Sequence, residues 1–280
     1  KVRIEKNTVQ ETLVIPLYAR KLCGELFPNL FQDPRAVELM ERLDYDFGPI
    51  QAKSRSAMHR FGALEVAMRQ NDLAFEVRDY LKDHPRAAVV NLGCGLDQTA
   101  ENCDNGQCRI YNVDLADVIA VRDALLPKAE RVKNIAADLN ETEWFDSIDD
   151  AGGAVFLAAG VFYYFRKEQG RALFQKMARR FPGGRLVFDA AGKRAVAMMI
   201  KTWVRQAGIK DVNGFFHVND AEKDIASWMG ACEVTSRGYM LGYCDLKDPS
   251  VSALFRILAK LGDRGMRMQI VRIDFSDCGA

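Results

Sequence analysis

The chain has 280 residues, 49% of them apolar, which is enough to fill the core of one large α/β domain and too many for a disordered chain. Lysine plus arginine (39) nearly cancels aspartate plus glutamate (38), leaving +1, so no net field favours nucleic acid or an anionic membrane as a partner. The longest uncharged stretch, Ala151 to Phe165, falls short of the ~20 apolar residues of a membrane helix, and the start, KVRIEKN, lacks a signal peptide's apolar core, so a cytoplasmic protein is expected. The seven cysteines are scattered, and Cys94, Cys103 and Cys108 have neither paired spacing nor a nearby histidine; reduced thiols and no metal site are expected.

Residues 1 to 50 carry short apolar patches punctuated by Pro16, Pro28, Pro34 and Pro49 and predict a lid or cap, not a sheet. One helix is expected there, from Arg35 to Leu43, entered through Asp33 and Pro34. From Ser56 to Lys82 a helical period puts Phe61, Leu64 and Met68 on one line and Leu73, Val77, Tyr80 and Leu81 on another, with Arg69 inside it and His84-Pro85 as its end. Strands at 88–92, 109–113, 131–136, 154–158 and 185–189 then alternate with helices from about 97, at 115–126, at 168–180 and at 190–206. Such alternation predicts a parallel, doubly wound sheet. After Gly214 come a helix at 220–229, a strand at 234–241, a helix at 250–261 and a last strand from Met266 to Phe275. That strand alternates with one slip, and with its predecessor it suits a terminal antiparallel pair.

The stretch Ala88 to Asp97, AVVNLGCGLD, is a strand feeding a tight turn. Gly93 and Gly95 let the backbone approach a ligand, and a helix starting just after such a turn offers free amides. About 20 residues on, the next strand ends in Asp114, where an acid can accept both ribose hydroxyls. The pair signals a nucleoside-containing cofactor without saying which. Asp138-Leu139 follows the third strand at the same sheet edge, where a carboxylate could take an adenine amino group. The run from Ala158 to Phe165 leaves the fourth strand where the reactive end of a cofactor would project, which makes Tyr163 and Tyr164 candidates for positioning an acceptor. His217, in a loop after the sheet, or one of these tyrosines is the candidate base for a hydroxyl acceptor. An NAD-dependent oxidoreductase fits the same turn and acid, although Gln98 stands at the third glycine position of GxGxxG.

Taken together these residues resemble the leucine carboxyl methyltransferase family, and within it the bacterial, tetracenomycin-type small-molecule O-methyltransferases. The likeness runs from Leu13 to about Phe275, carried by PLYAR at 16–20, FQDPRAVELMERLDYDF at 31–47, Arg69, HPRAAVVNLGCGLD at 84–97, YNVDLADVIAVR at 111–122, AGVFYYF at 159–165 and RFPGGRLVFDA at 180–190. The resemblance implies a class I methyltransferase fold, a Rossmann-like, seven-stranded, doubly wound sheet with its last strand antiparallel, that binds S-adenosylmethionine. It implies a helical lid over 1–56, the methyltransferase domain over 57–280 and a substrate-lining insertion around 207–250. By the same likeness Gly93, Cys94, Gly95 and Asp97 make the cofactor turn, Asp114 and Leu115 meet the ribose, Asp138 and Leu139 frame the adenine, and Arg69 meets the methionine carboxylate. The chain departs from the family pattern at Ala74 and Ala159, which stand where acids are usual, and at Gln98-Thr99, which replace Thr-Arg. With Ala159 there, a contact to the cofactor's amino end is either missing or comes from backbone carbonyls. The expected function is S-adenosylmethionine-dependent O-methylation of a small-molecule carboxylate or hydroxyl, with S-adenosylhomocysteine as product. A catalytically silent S-adenosylmethionine-binding protein is the alternative that Ala74 and Ala159 suggest. Nothing in the sequence fixes an oligomeric state.

Overall fold

The computed structural model describes residues 1–6, 9–199 and 215–276. Where the sequence predicts one N-terminal helix, the structure has α1 (Val14–Leu26), α2 (Pro34–Arg42) and α3 (Gly48–Lys53). It also has a short parallel pair, β1 (Val2–Arg3) with β2 (Leu43–Asp44), which corrects the expectation of no sheet there. α1 escapes a reading that treats Pro16 as a breaker, because Pro16 lies in the first turn, where backbone N–H groups have no intrahelical acceptor to lose. α2 begins as its sequence predicts: Asp33 Oδ1 accepts the Ala36 amide at 3.0 Å and Pro34 opens the helix.

α4 (Ala57–Asp83) starts at Ser56, whose hydroxyl accepts the His59 amide at 3.2 Å, and stops at His84, before Pro85. Both of its apolar lines are buried. The strands that follow are β3 (Ala88–Leu92), β4 (Arg109–Asp114), β5 (Val132–Ala136), β6 (Ala154–Ala158), β7 (Arg185–Ala190), β8 (Glu233–Gly238) and β9 (Gln269–Asp274). They form one seven-stranded sheet in the order β5-β4-β3-β6-β7-β9-β8. β3 to β7 run parallel, and β9 is antiparallel to both of its neighbours. The helices between them are α5 (Thr99–Asn102), α6 (Ala116–Leu125), α7 (Lys167–Arg180), α8 (193–199), α9 (Ala221–Asp224), α10 (Ala226–Met229) and α11 (Ala253–Gly265).

Every residue of β3, β6 and β7 is buried, the mark of strands covered on both faces. Val90, Phe156 and Phe188 pack with Phe174 and Met177 of α7, while Val89, Val155 and Val187 meet Leu73 and Val77 of α4. The strand order reverses at β3, which has β4 on one side and β6 on the other, so a crevice opens over the carboxyl ends of these strands. The turn after β3 lies in that crevice.

Several boundaries differ from the sequence expectation. The helix after Asp97 is a single turn, and the one expected over 220–229 breaks at Ile225 into α9 and α10. Met240 (φ 61°) and Arg267 (φ 54°) adopt the left-handed conformation, which stops β8 at Gly238 and delays β9 to Gln269; the slip in alternation falls later, between Ile270 and Ile273, where Val271 is buried as well. The helix expected over 190–206 begins only at 193, since Ala190 still belongs to β7, and is helical over 193–199; residues 200–206 lie outside the described residues, as do 207–214 of the expected insertion.

α4 is locked to the turn after β8 by Asp72, which is 3% exposed and accepts the Met240 amide at 3.0 Å. Burial, aided by the nearby Asp263 and Glu76 carboxylates and opposed by the Met240 hydrogen bond, pushes the Asp72 carboxyl up to about 8. The folded chain therefore holds a proton that an unfolded aspartate with a pKa near ~4 releases. Between those values folded stability falls as pH rises, by up to about 1.4 kcal/mol per pH unit from this group. Asp72→Asn keeps the acceptor for Met240 and should flatten that slope. Urea denaturation of both proteins at pH 5.5 and 7.5 checks it, and parallel slopes would show that Asp72 is ionised in the fold.

Candidate active site

The turn after β3 is built so that only glycine fits. Gly93 has φ +62°, and a methyl group there would lie 2.6 Å from Val161 Cγ2. Gly95, at φ +50°, donates its amide to Asp114 Oδ2 at 2.8 Å, and the Leu115 amide donates to Oδ1 at 2.8 Å. Asp114 thus fastens the end of β4 to the turn, and burial pushes its carboxyl above the usual range against these two hydrogen bonds. From below, Arg122 of α6, 1% exposed, donates from Nη1 to the carbonyls of Gly95 (2.9 Å) and Asp97 (2.6 Å) and from Nη2 to Glu101 (2.6 Å). Asp97 is committed to the scaffold: it accepts from Gln70 Nε2 (3.0 Å), the Thr99 amide (2.6 Å) and hydroxyl (2.5 Å), and Asn91 Nδ2 (3.3 Å).

Above the turn is a cavity of about 730 Å³. It gathers Arg69, Gly93, Cys94, Gly95, Asp97, Asp114, Ala159, Tyr163 and Tyr164 from elements far apart in sequence. Ile15, Pro16 and Arg20 of α1 close one side; Arg20 is held there by Asp33 at 3.0 Å.

The remaining candidates stand elsewhere. Leu115 is 41% exposed and reaches the site only through its amide. Asp138 is exposed, its Oδ1 accepting the Asn140 amide at 2.9 Å, and Leu139 is packed into the core with Trp144. His217 is half-buried, its Nδ1 3.1 Å from the Phe215 carbonyl, and does not line the cavity. The physical reason is alternation: Phe216 and Val218 enter the core, held by their amides to the carbonyls of Phe165 and Ala191, so the residue between them points the other way. Among the described residues of the expected insertion, none lines the cavity.

Two residues that brace the site from behind are absent from the candidates read from the sequence. One is Arg122, the other Asp189 at the end of β7. Asp189 Oδ2 accepts from Arg69 Nη1 at 3.2 Å and Oδ1 accepts the Gly160 amide at 2.6 Å. Asp189 could have been found by the logic that picked Asp114, an acid closing an apolar strand; Arg122 left no comparable signal. Burial, reinforced by the Asp189 carboxylate, pushes the Tyr163 phenol well above its ordinary range. Burial likewise raises the Cys94 thiol. Six cysteines among the described residues are free, and no group of three His, Cys, Asp or Glu side chains gathers there to hold a metal ion.

Residues 17–178 match the family described as leucine carboxyl methyltransferase. Over 188 residues, 67% of each chain, the protein is 31% identical to the tetracenomycin polyketide synthesis O-methyltransferase TcmP of Streptomyces glaucescens. Among solved structures it is similar to a protein of Thermobifida fusca YX assigned to the methyltransferases, with a TM-score of 0.56 and 15% identity over 98% of this chain and 100% of that one. It is also similar to an S-adenosylmethionine dependent methyltransferase from Mesorhizobium loti, with a TM-score of 0.51 and 16% identity over 71% of this chain and 95% of that one. At such identities the structures speak to the fold, which is that of the class I methyltransferases. The sequence matches go further and set the NAD-dependent oxidoreductase aside: the chain belongs to the leucine carboxyl methyltransferase family, and it is an S-adenosylmethionine-dependent O-methyltransferase.

Proposed function

We propose that this enzyme methylates an oxygen of a small molecule that reaches the cavity already ionised, a carboxylate first and an acidic hydroxyl second. The observation that carries this is the lack of a free base among the described groups lining the cavity. Arg20 and Arg69 are paired, Asp97 and Asp114 accept scaffold hydrogen bonds, and the Tyr163 and Cys94 protons are held by burial. A carboxylate with a pKa near ~4 needs no base at neutral pH. The residues also fit the cofactor: Arg69 keeps a buried Nε without a partner at the cavity wall, and the Gly93 turn leaves the room that a side chain would fill. When bound, S-adenosylmethionine supplies an electrophilic methyl group on a sulfonium.

In this reading the amides of Cys94 and Gly95 sit at the turn, and Asp114 uses its second lone pairs for the ribose hydroxyls. The Ala137 amide donates to the Asp114 carbonyl at 2.9 Å, so the backbone leading to Asp138 and Leu139 runs beside that strand end; this supports an adenine role for that segment, although neither side chain lines the cavity. Arg69 pairs with the methionine carboxylate, and Ala159 offers its backbone at the amino end. Tyr163, held neutral, is a hydrogen-bond donor, and Tyr164, 53% exposed, meets the body of the acceptor at the mouth. Orientation then supplies most of the rate enhancement. Residues 1–56 act as the lid, supported by the part of α1 in the cavity wall, over a methyltransferase domain from 57 onward. The free thiols suit a cytoplasmic setting, and no helix of the described residues is long and apolar enough to cross a membrane.

Calorimetric titration tests the reading: S-adenosylmethionine and S-adenosylhomocysteine should bind and NAD should not. Asp114→Ala should weaken both by about 1.5–3 kcal/mol, the range for a lost charge-assisted hydrogen bond. Wild-type affinity in that variant would remove Asp114 from the ribose. Consumption of S-adenosylmethionine with a panel of carboxylates and phenols separates an enzyme from a silent binder.

A further inference from the structure

Asp189 is 4% exposed and stands behind the cavity wall instead of in it. Its two carboxylate oxygens serve two different wall elements, Arg69 of α4 at 3.2 Å and the Gly160 amide after β6 at 2.6 Å. Those elements are in close contact, since a methyl group on Gly160 (φ +67°) would lie 2.9 Å from Arg69 Nη1. A guanidinium is a rigid planar fork, so fixing one Nη on a buried carboxylate limits where its other donors aim. One of them, Nε, is buried without a partner. The ion pair also leaves this wall near neutrality, which favours a zwitterion over a simple anion.

We propose that Asp189 is a positioning residue for the amino-acid end of the cofactor: it orients Arg69 toward the ligand carboxylate and holds the Ala159-Gly160 backbone beside the adjoining ammonium. This rests on the reading of Arg69 given above. Without the Asp189 charge, Arg69 keeps its own charge and length but must surrender side-chain freedom each time a ligand binds.

The test uses Asp189→Asn, which retains an oxygen for the Gly160 amide and loses the charge. S-adenosylhomocysteine and 5′-methylthioadenosine, the same adenosyl thioether without the amino-acid end, are titrated into wild type and variant. The homocysteine ligand should weaken roughly tenfold, as a charge-assisted contact is misdirected, and methylthioadenosine by less than about twofold. Arg69→Met with Asp189→Asn should bind S-adenosylhomocysteine as Arg69→Met does alone, because Asp189 acts through Arg69. Equal losses for the two ligands, or additive losses in the double variant, would overturn the proposal and leave Asp189 a structural residue. If wild type binds neither ligand, the functional reading falls with it; if wild type binds both and Asp189→Asn matches it, the proposal alone falls. Should Asp189→Asn fail to fold, Asp189→Glu keeps the charge one methylene out of place, and the same comparison decides.

Discussion

Arg122→Met is expected to destabilise the protein by about 3–5 kcal/mol, the range for removing one partner of a buried ion pair. Methionine replaces much of the volume but none of the donors. The carbonyls of Gly95 and Asp97 would lose the Nη1 hydrogen bonds that back the turn, and Glu101, whose Oε2 already lacks a partner, would keep Asn112 Nδ2 but lose its cation. The effect should reach function too, since Gly95 presents its amide to Asp114 from a backbone that Arg122 holds from the other side. Urea denaturation and S-adenosylhomocysteine titration on the folded fraction should therefore fall together. A variant within about 1 kcal/mol of wild type would mean that Asp114 and Asp97 suffice to hold the turn, a loss typical of one ordinary hydrogen bond.

What was legible in the sequence is what is local and periodic. β3, β6 and β7 are covered on both faces, so they appear as mostly apolar runs that lead into Gly93, Ala159 and Asp189, and their alternation with helices gives the parallel sheet and places the turn. Asp114 is legible because the acid that closes β4 sits a fixed crossover away from the glycines. What was not legible depends on partners distant in sequence. By periodicity alone Arg69 reads as one more helix charge; the family resemblance marks it, but its pairing with Asp189, 120 residues on, shows only in the fold. Arg122 reads as the polar face of α6 until the carbonyls it supports are in view. The family likeness puts Asp97 in the cofactor turn without showing that its oxygens accept from Gln70, Asn91 and Thr99. His217 suggested a base, yet the buried Phe216 and Val218 on either side already imply that it faces away from them. Ala74, where the family resemblance leads one to expect an acid, is packed among Leu73, Val77 and Cys103 in the apolar layer between α4 and the sheet, a place where a carboxylate would be desolvated.

Arg69→Met should separate the two ends of the cofactor. Arg69 lines the cavity with an unpartnered Nε, and Nη1 is on Asp189; on the proposed pairing its removal should cost S-adenosylmethionine one charged contact worth up to about 3 kcal/mol. Adenosine carries no carboxylate and should lose much less, roughly threefold or under against roughly a hundredfold for the full cofactor, given tenfold per 1.4 kcal/mol. Methionine fills much of the space of the arginine stem, so packing on α4 is largely kept. The opposing effect is on stability, because Asp189 would retain the Gly160 amide while losing its cation in a buried place, and that loss acts on both ligands alike through the Gly160 backbone. The ratio of the two affinities removes this common part. A ratio unchanged from wild type would show that Arg69 serves the fold and that the cofactor's carboxylate is held elsewhere, whereas a ratio shifted by more than tenfold, with adenosine nearly unaffected, is the signature of direct pairing.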